Sequence, residues 1–426
     1  MALIDDVRAA RRLVRNAFAS RRSRRTVLKV EREQRALPPR TVQIAVYFAD
    51  TRVNLYQLRQ WYAPLAELQS TWPVAIISRS PGTVLELWNE APVPAVYARS
   101  VQALEQFVHE QDIRIVLYVN QNAKNFQMFR YGRMWHVFVN HGESDKMYMT
   151  TNQFKAYDYS FVAGDAALDR LRTKLWDFDL EKRAIPIGRP QADHLGGEVP
   201  FEPDGRTVVL YAPTWEGDRA AAAYGSIASH GVAIANAVLA SPQHRLVYRP
   251  HPRSGVLDTD YRAANREIIA AIARANTADP TARHVYDDGP ELGWQLAVAD
   301  VAITDISAMV YDRLATGKPL LVTRPVSAEA DVDEHGYLGS AQWVLADSAG
   351  DVLTLVDRAL HDRGARASLR YWAKRHFGDT TPGAATHRFR AAIQLLMDRW
   401  EEHAALHDRD PDDSGSDPFG DDDERE

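Results

Sequence analysis

Residues 302–324 read AITDISAMVYDRLATGKPLLVTR, and the rest of the chain is read outward from them. With Val301 before it, Ala302-Ile303 makes the short apolar run of a strand buried on both faces. Thr304-Asp305-Ile306-Ser307 then supplies three side chains suited to capping a helix N-terminus. Met309, Val310, Leu314 and Ala315 continue at helical spacing, Gly317 stops the helix, and Lys318-Pro319 leads into a second strand, Leu320-Leu321-Val322. Strand, turn, helix, strand is the unit of a parallel α/β sheet. A strand that stops at a hydroxyl-rich helix start presents backbone N–H groups suited to a phosphate, although the same pattern also makes an ordinary capped helix.

The alternation repeats on both sides. Upstream, strands are expected at 42–47, 74–78, 95–97, 113–118, 135–139 and 159–162, with helices such as 101–110 between them. Leu55, Leu58, Trp61 and Leu65 read as the inner face of the first of these helices. After the link GGEVPFEPDG (196–205), a second series is expected at 207–212, 245–249, 284–286, 301–303 and 320–323, closed by an amphipathic helix from Gly383 to about Arg399. The fold class is therefore α/β, with two Rossmann-like domains, residues 41–200 and 201–400. Domains of similar size are expected to face a cleft toward which the C-terminal ends of their strands point.

At 426 residues the chain can bury two cores, and its hydrophobic fraction of 45% is that of a globular protein. The absence of cysteine excludes disulfides, thiolate metal sites and a cysteine nucleophile, and it fits a reducing compartment. No apolar run approaches the roughly 18 residues of a membrane span, and the N-terminus lacks the apolar core of a signal peptide. A cytoplasmic protein is expected.

The net charge of −6 hides an asymmetry. Residues 1–40 carry 12 Lys/Arg against 4 Asp/Glu, whereas residues 401–426 carry 2 against 12. The tail reads as a solvated, disordered end. In the head, Leu3, Ile4, Val7, Ala10, Val14, Ala17 and Phe18 share one helical face, with Arg8, Arg11, Arg12 and Arg15 around the other. That pattern suits a helix lying on an anionic membrane surface, and equally a helix packed on the protein's own body. Nucleic acid is not an expected partner, because the basic run has neither interleaved aromatics nor a known module.

Four short stretches fall at expected strand ends. Asn140-His141-Gly142-Glu143-Ser144-Asp145-Lys146 places a histidine beside a glycine. His141 is thus a candidate general base, with Gly142, Glu143, Asp145 and Lys146 in support, unless it only braces a tight turn. Tyr211-Ala212-Pro213-Thr214-Trp215-Glu216-Gly217 offers a loop with an aromatic wall. Arg249-Pro250-His251-Pro252-Arg253 is stiffened by two prolines, so His251 and Arg253 are presented with little freedom to lose. An imidazole and a guanidinium together suit a diphosphate. The fourth stretch is the one quoted first, with Thr304, Asp305 and Ser307. Glycine-rich phosphate loops are absent, Asp331-Val332-Asp333 reads as a solvated loop, and neither a metal nor another cofactor is expected.

Together these stretches resemble the CDP-glycerol glycerophosphotransferase family of teichoic-acid primases and polymerases. His-Gly with a following Lys, Tyr-Ala-Pro-Thr-Trp, His-Pro and Thr-Asp-x-Ser stand in the family's order and approximate spacing. Gly188-Arg189-Pro190-Gln191-Ala192-Asp193 is similar to its inter-domain Gly-x-Pro-Arg-x-Asp element, and Gly378-Asp379 to its C-terminal Asp-Gly-x-Ala segment. The resemblance covers residues 130–395 and implies a GT-B-like pair of domains. It also implies a CDP-alditol donor and transfer of a phosphoalditol to a hydroxyl of a cell-envelope polymer, with CMP leaving. The acceptor would be a polyol phosphate or a glycan, lipid-linked at the inner face of the membrane. By position, His141 would be the base, with His251 also catalytic. Arg253, Thr304, Asp305, Ser307, Pro213 and Thr214 would hold the donor. The chain departs from the pattern at Ala308, where a second Ser is common, at Glu216, where a basic residue often follows Trp, and at Gln191 in place of Arg. Two rivals share the fold or the charge pattern: a GT-B glycosyltransferase or sugar-nucleotide epimerase with another nucleotide, and a non-catalytic membrane-associated scaffold.

Overall fold

The structure, a computed structural model, describes residues 23, 25–27, 37–142, 151–289 and 292–407. The helix expected over Leu3–Phe18, the acidic tail beyond His407, and Glu143, Asp145 and Lys146 lie outside these residues.

The strands form two sheets. β1 (Ile44–Phe48), β2 (Val74–Ser78), β3 (Ala95–Tyr97), β4 (Ile115–Tyr118), β5 (Trp135–Phe138), β6 (Tyr159–Val162) and β7 (Ala184–Pro186) are ordered β3-β2-β1-β4-β5-β6-β7. β8 (Thr207–Ala212), β9 (His244–Tyr248), β10 (Val285–Tyr286), β11 (Val301–Thr304), β12 (Leu320–Thr323) and β13 (Trp343–Val344) are ordered β10-β9-β8-β11-β12-β13. β8 pairs in parallel with β9 on one side and with β11 on the other. β1, β2, β4, β11 and β12 are buried along their whole length, as continuous apolar runs between two helical layers require. The two Rossmann-like α/β sheets are those expected. β7 and β13, three and two residues long, are additional.

The chain divides into two compact units, one of residues 1–139, 156–160 and 390–426 and the other of 140–155 and 161–389. In the first, the segment after β1 is split into Arg52–Asn54, Leu55–Arg59 and Tyr62–Gln69 rather than one helix. Leu55, Leu58, Trp61 and Leu65 are nonetheless all buried. The last helix, Ala384–His407, runs beyond the end expected near Arg399. Arg114 pairs with Glu401 at 2.9 Å, and the Trp400 indole N–H donates to the Arg133 carbonyl at 2.7 Å, so the extra turns are held by side chains. No helix among the described residues is long and apolar enough to cross a membrane.

The second unit packs apolar side chains on both faces of its sheet. Tyr211, Ile234, Leu246, Ile303 and Val352 contribute to one side, and Leu210, Ala302, Leu314, Val322 and Phe377 to the other. Its chain order runs outward from β8 through β9 to β10, then returns to β11 and runs outward the other way. The reversal lies between β8 and β11. In open parallel sheets, ligands bind outside the carboxyl ends of the strands at such a switch point.

Candidate active site

Two loops leave the switch point: 213–217 after β8 and 305–307 after β11. Asp305 joins them. Its Oδ2 accepts the Thr214 N–H at 2.7 Å and the Ser226 N–H at 3.1 Å, while Oδ1 accepts the Thr323 hydroxyl at 2.5 Å. The side chain is fully buried, and burial outweighs these hydrogen bonds, raising its pKa to about 6. Thr304, the last residue of β11, is also fully buried. The sequence placed both residues on the donor; in the structure both are fully buried, and Asp305 joins the loops after β8 and β11.

The loop after β8 is braced from three further directions. The Tyr261 hydroxyl donates to the Thr214 carbonyl at 2.6 Å, and the His251 N–H donates to the Pro213 carbonyl at 3.1 Å. Pro213 itself is buried, so its contribution is that carbonyl. Glu216 does most. Its carboxylate accepts the N–H groups of Gly255 at 2.8 Å, Leu257 at 2.7 Å and Asp258 at 3.1 Å. Partial burial acts to raise its pKa, but these backbone donors outweigh it and hold the carboxyl below its ordinary value. Gly255 has φ of 76°, and a Cβ there would lie 2.8 Å from the Arg262 Cα, so the turn that Glu216 grips requires glycine.

That grip fixes the exposed His251-Pro252-Arg253 tip. The Arg253 guanidinium lies 3.8 Å from the centre of the Trp215 ring, and its backbone N–H donates to His251 Nδ1 at 3.1 Å. Desolvation within the loop, and then the Arg253 cation, lower the His251 pKa. With Nδ1 accepting, the ring proton sits on Nε2. The tip thus offers a neutral N–H donor beside a cation stacked on an indole.

Ser307 caps the helix Ala308–Leu314, its Oγ accepting the Met309 N–H at 3.2 Å. The helix is only seven residues long, so its dipole is modest and its hydroxyl and free N–H groups matter more. Farther along it, Asp312 pairs with Arg189 at 2.5 Å. Burial raises the Asp312 pKa, and the Arg189 cation opposes the rise. A Cβ placed on Gly142 would lie 3.9 Å from Arg189 Nη1, so this guanidinium stands between the His141-Gly142 turn and the Ser307 helix. Asn140 adopts φ of 55°, and its amide donates to the Gly142 carbonyl at 2.6 Å, holding the half-buried His141 on a tight turn.

The structure therefore ties Thr214, Glu216, His251, Arg253, Asp305 and Ser307 into one loop system and links His141-Gly142 to it through Arg189. Arg189, Asp312, Ser226 and Tyr261 did not stand out in the sequence. Arg189 and Asp312 lay in stretches already noticed, but neither was given a role.

Residues 138–329 match the model of the family described as CDP-glycerol:poly(glycerophosphate) glycerophosphotransferase. Over that segment, somewhat less than half of the chain, the sequence is similar to this family. No curated protein matches the sequence. Among solved structures, the wall teichoic acid polymerase TagF is similar with a TM-score of 0.54 at 12% identity, over 85% of this chain and 90% of that one. A second TagF structure, soaked with CDPG, gives a TM-score of 0.52 at 12% identity over 94% and 99%. A putative UDP-N-acetylglucosamine 2-epimerase from Listeria monocytogenes gives 0.54 at 14% identity over 84% and 97%. At these identities the likenesses concern the fold: two parallel-sheet α/β domains of the GT-B kind. They do not separate the glycerophosphotransferase reading from an epimerase. The segment that matches the family model spans the four loops assembled above.

Proposed function

We propose that this chain moves a phosphoalditol from a CDP-alditol to an acceptor hydroxyl, releasing CMP. The observation that carries the reading is that the His251–Arg253 tip, gripped by Glu216, and the loop ending in the Ser307 cap are both tied to the loop after β8 at the switch point. This gathers a cation, a neutral N–H donor and a hydroxyl where a diphosphate is recognised. His141 takes the proton from the acceptor hydroxyl as its oxygen bonds to the phosphorus bearing the alditol. The bond from that phosphorus to the bridging oxygen breaks, and CMP leaves with the electron pair. Arg253 and the His251 Nε2–H offset the charge growing on the bridging and non-bridging oxygens. The acceptor is a polyol-phosphate or glycan chain of the cell envelope. The basic head, residues 1–40, holds the protein reversibly against the anionic inner face of the membrane, where a lipid-linked acceptor would lie.

A screen of CDP-, UDP- and GDP-linked donors with lipid-linked acceptors tests the reading. CMP released only from a CDP-alditol supports it. UDP or UDP-sugar turnover would favour the glycosyltransferase or epimerase reading, and no turnover with any donor the scaffold.

A further inference from the structure

Within the second unit, the helix Arg363–Phe377 reads RGARASLRYWAKRHF and contains no acidic residue. Leu369, Ala373 and Phe377 are buried in the core of that unit, so the helix cannot roll. Arg375 is half-buried and pairs with Asp169 at 2.6 Å. Arg363, Arg366, Arg370 and Lys374 remain exposed on one outer face. Among the described residues, none of these four side chains makes an ion pair or hydrogen bond. At steps of three, four and four residues, a cation recurs about every 4.5–6 Å along a row about 16 Å long.

A row is not a patch, and that decides the partner. An anionic membrane is a plane, and a helix that binds it adds apolar burial to its charge. Here the apolar face is already used, and Tyr371, 58% exposed, is the one large apolar side chain on the outer face. A linear polyanion matches the geometry better. In a 1,3-linked glycerol phosphate chain, successive phosphorus atoms are six bonds apart, about 7 Å when extended. Flexible arginine arms span the difference. The helix also lies close to the site: the His376 ring is 5.4 Å from Tyr311, which belongs to the helix that Ser307 caps.

We propose that Arg363, Arg366, Arg370 and Lys374 form a track for a linear phosphodiester polymer, holding the acceptor chain behind the hydroxyl that reacts. The inference rests on the polymer-acceptor reading above and extends it to a second binding surface. The test uses the full chain and the double variant Arg366→Gln/Arg370→Gln, with Arg363→Gln/Lys374→Gln as an independent pair on the same row. Binding of an end-labelled glycerol phosphate 12-mer is followed by anisotropy over a salt series, beside glycerol phosphate monomer and phosphatidylglycerol vesicles. The expected result is at least a tenfold loss of 12-mer affinity for either pair, with unchanged monomer and vesicle binding. The slope of log affinity against log salt should be shallower by about 1.4, at about 0.7 per phosphate contact as for a single-stranded polyanion. CMP release with a short acceptor should be unchanged. Unaltered 12-mer affinity in both pairs overturns the proposal, as does loss of vesicle binding alone, which assigns the row to the membrane. A wild-type chain that binds the 12-mer but releases no CMP from any donor overturns the transfer reading and leaves the track standing.

Discussion

The Asp305 carboxylate accepts the Thr214 backbone N–H at 2.7 Å, bridging the loops that follow β8 and β11 across the switch point. The residue that the sequence marked for a ligand is thus the bolt that joins the loops after β8 and β11. Removing it as Asp305→Ala would leave the buried Ser226 N–H, the half-buried Thr214 N–H and the buried Thr323 hydroxyl without their acceptor. At about 1–3 kcal/mol for each such group, thermal unfolding should show a destabilisation of several kcal/mol.

The same carboxylate gives a pH signature. Its folded pKa of about 6 lies above the ordinary 3.8, so the stability it contributes is fully present below about 3.8 and is lost as pH rises through 6. The difference corresponds to roughly 3 kcal/mol. Asp305→Asn cannot titrate. The stability gap between wild type and this variant, measured by denaturant unfolding, should therefore shift by about that amount between pH 4 and pH 7. A gap constant over that range would show that Asp305 is not raised.

Glu216→Ala should loosen the turn that presents His251 and Arg253 without touching the core. The expected outcome is faster amide exchange at Gly255, Leu257 and Asp258, together with CDP-alditol affinity weakened about tenfold or more. Exchange that quickens while affinity holds would separate the grip from donor binding.

This is where sequence reading ran out. β2, β3, β6, β8 and β12 have the bounds expected, and all but the half-buried edge strand β3 do so because a strand buried on both faces writes a continuous apolar run. β13 has only Trp343 and Val344 to announce it, and β7 ends in a proline. The four loops were legible because proline, glycine and histidine cluster at strand ends. The job of Glu216 was not, since its partners lie some 40 residues away and are backbone groups with no side-chain signature. Asp305 was legible as important, but nothing local says whether a carboxylate at a strand end faces a ligand or the interior.

Arg253→Ala should cost donor binding about 1.5–3 kcal/mol, or roughly tenfold to a hundredfold, the worth of a charge-assisted hydrogen bond to phosphate. Trp215→Ala removes only the ring beneath it and should cost about 0.5–1 kcal/mol. Calorimetric titration of both variants with a CDP-alditol checks the order. Equal losses would mean that the stack, rather than the charge, holds the donor.

Arg189→Ala leaves the half-buried Asp312 without its cation, and the loss should stay below the about 3–5 kcal/mol of breaking a fully buried pair. The double variant Arg189→Ala/Asp312→Ala should recover much of that loss in a denaturant melt. No recovery would mean that Arg189 matters through packing rather than charge.

The most direct measurement follows CDP-[14C]glycerol and a lipid-linked acceptor, counting CMP released and label joined to the acceptor for wild type and His141→Ala. The account predicts one CMP per glycerol phosphate transferred by wild type. For the variant, it predicts turnover reduced by about 10²–10⁴-fold with donor affinity within a few-fold. Near-normal turnover by a folded His141→Ala chain, or label transferred without CMP, would contradict it.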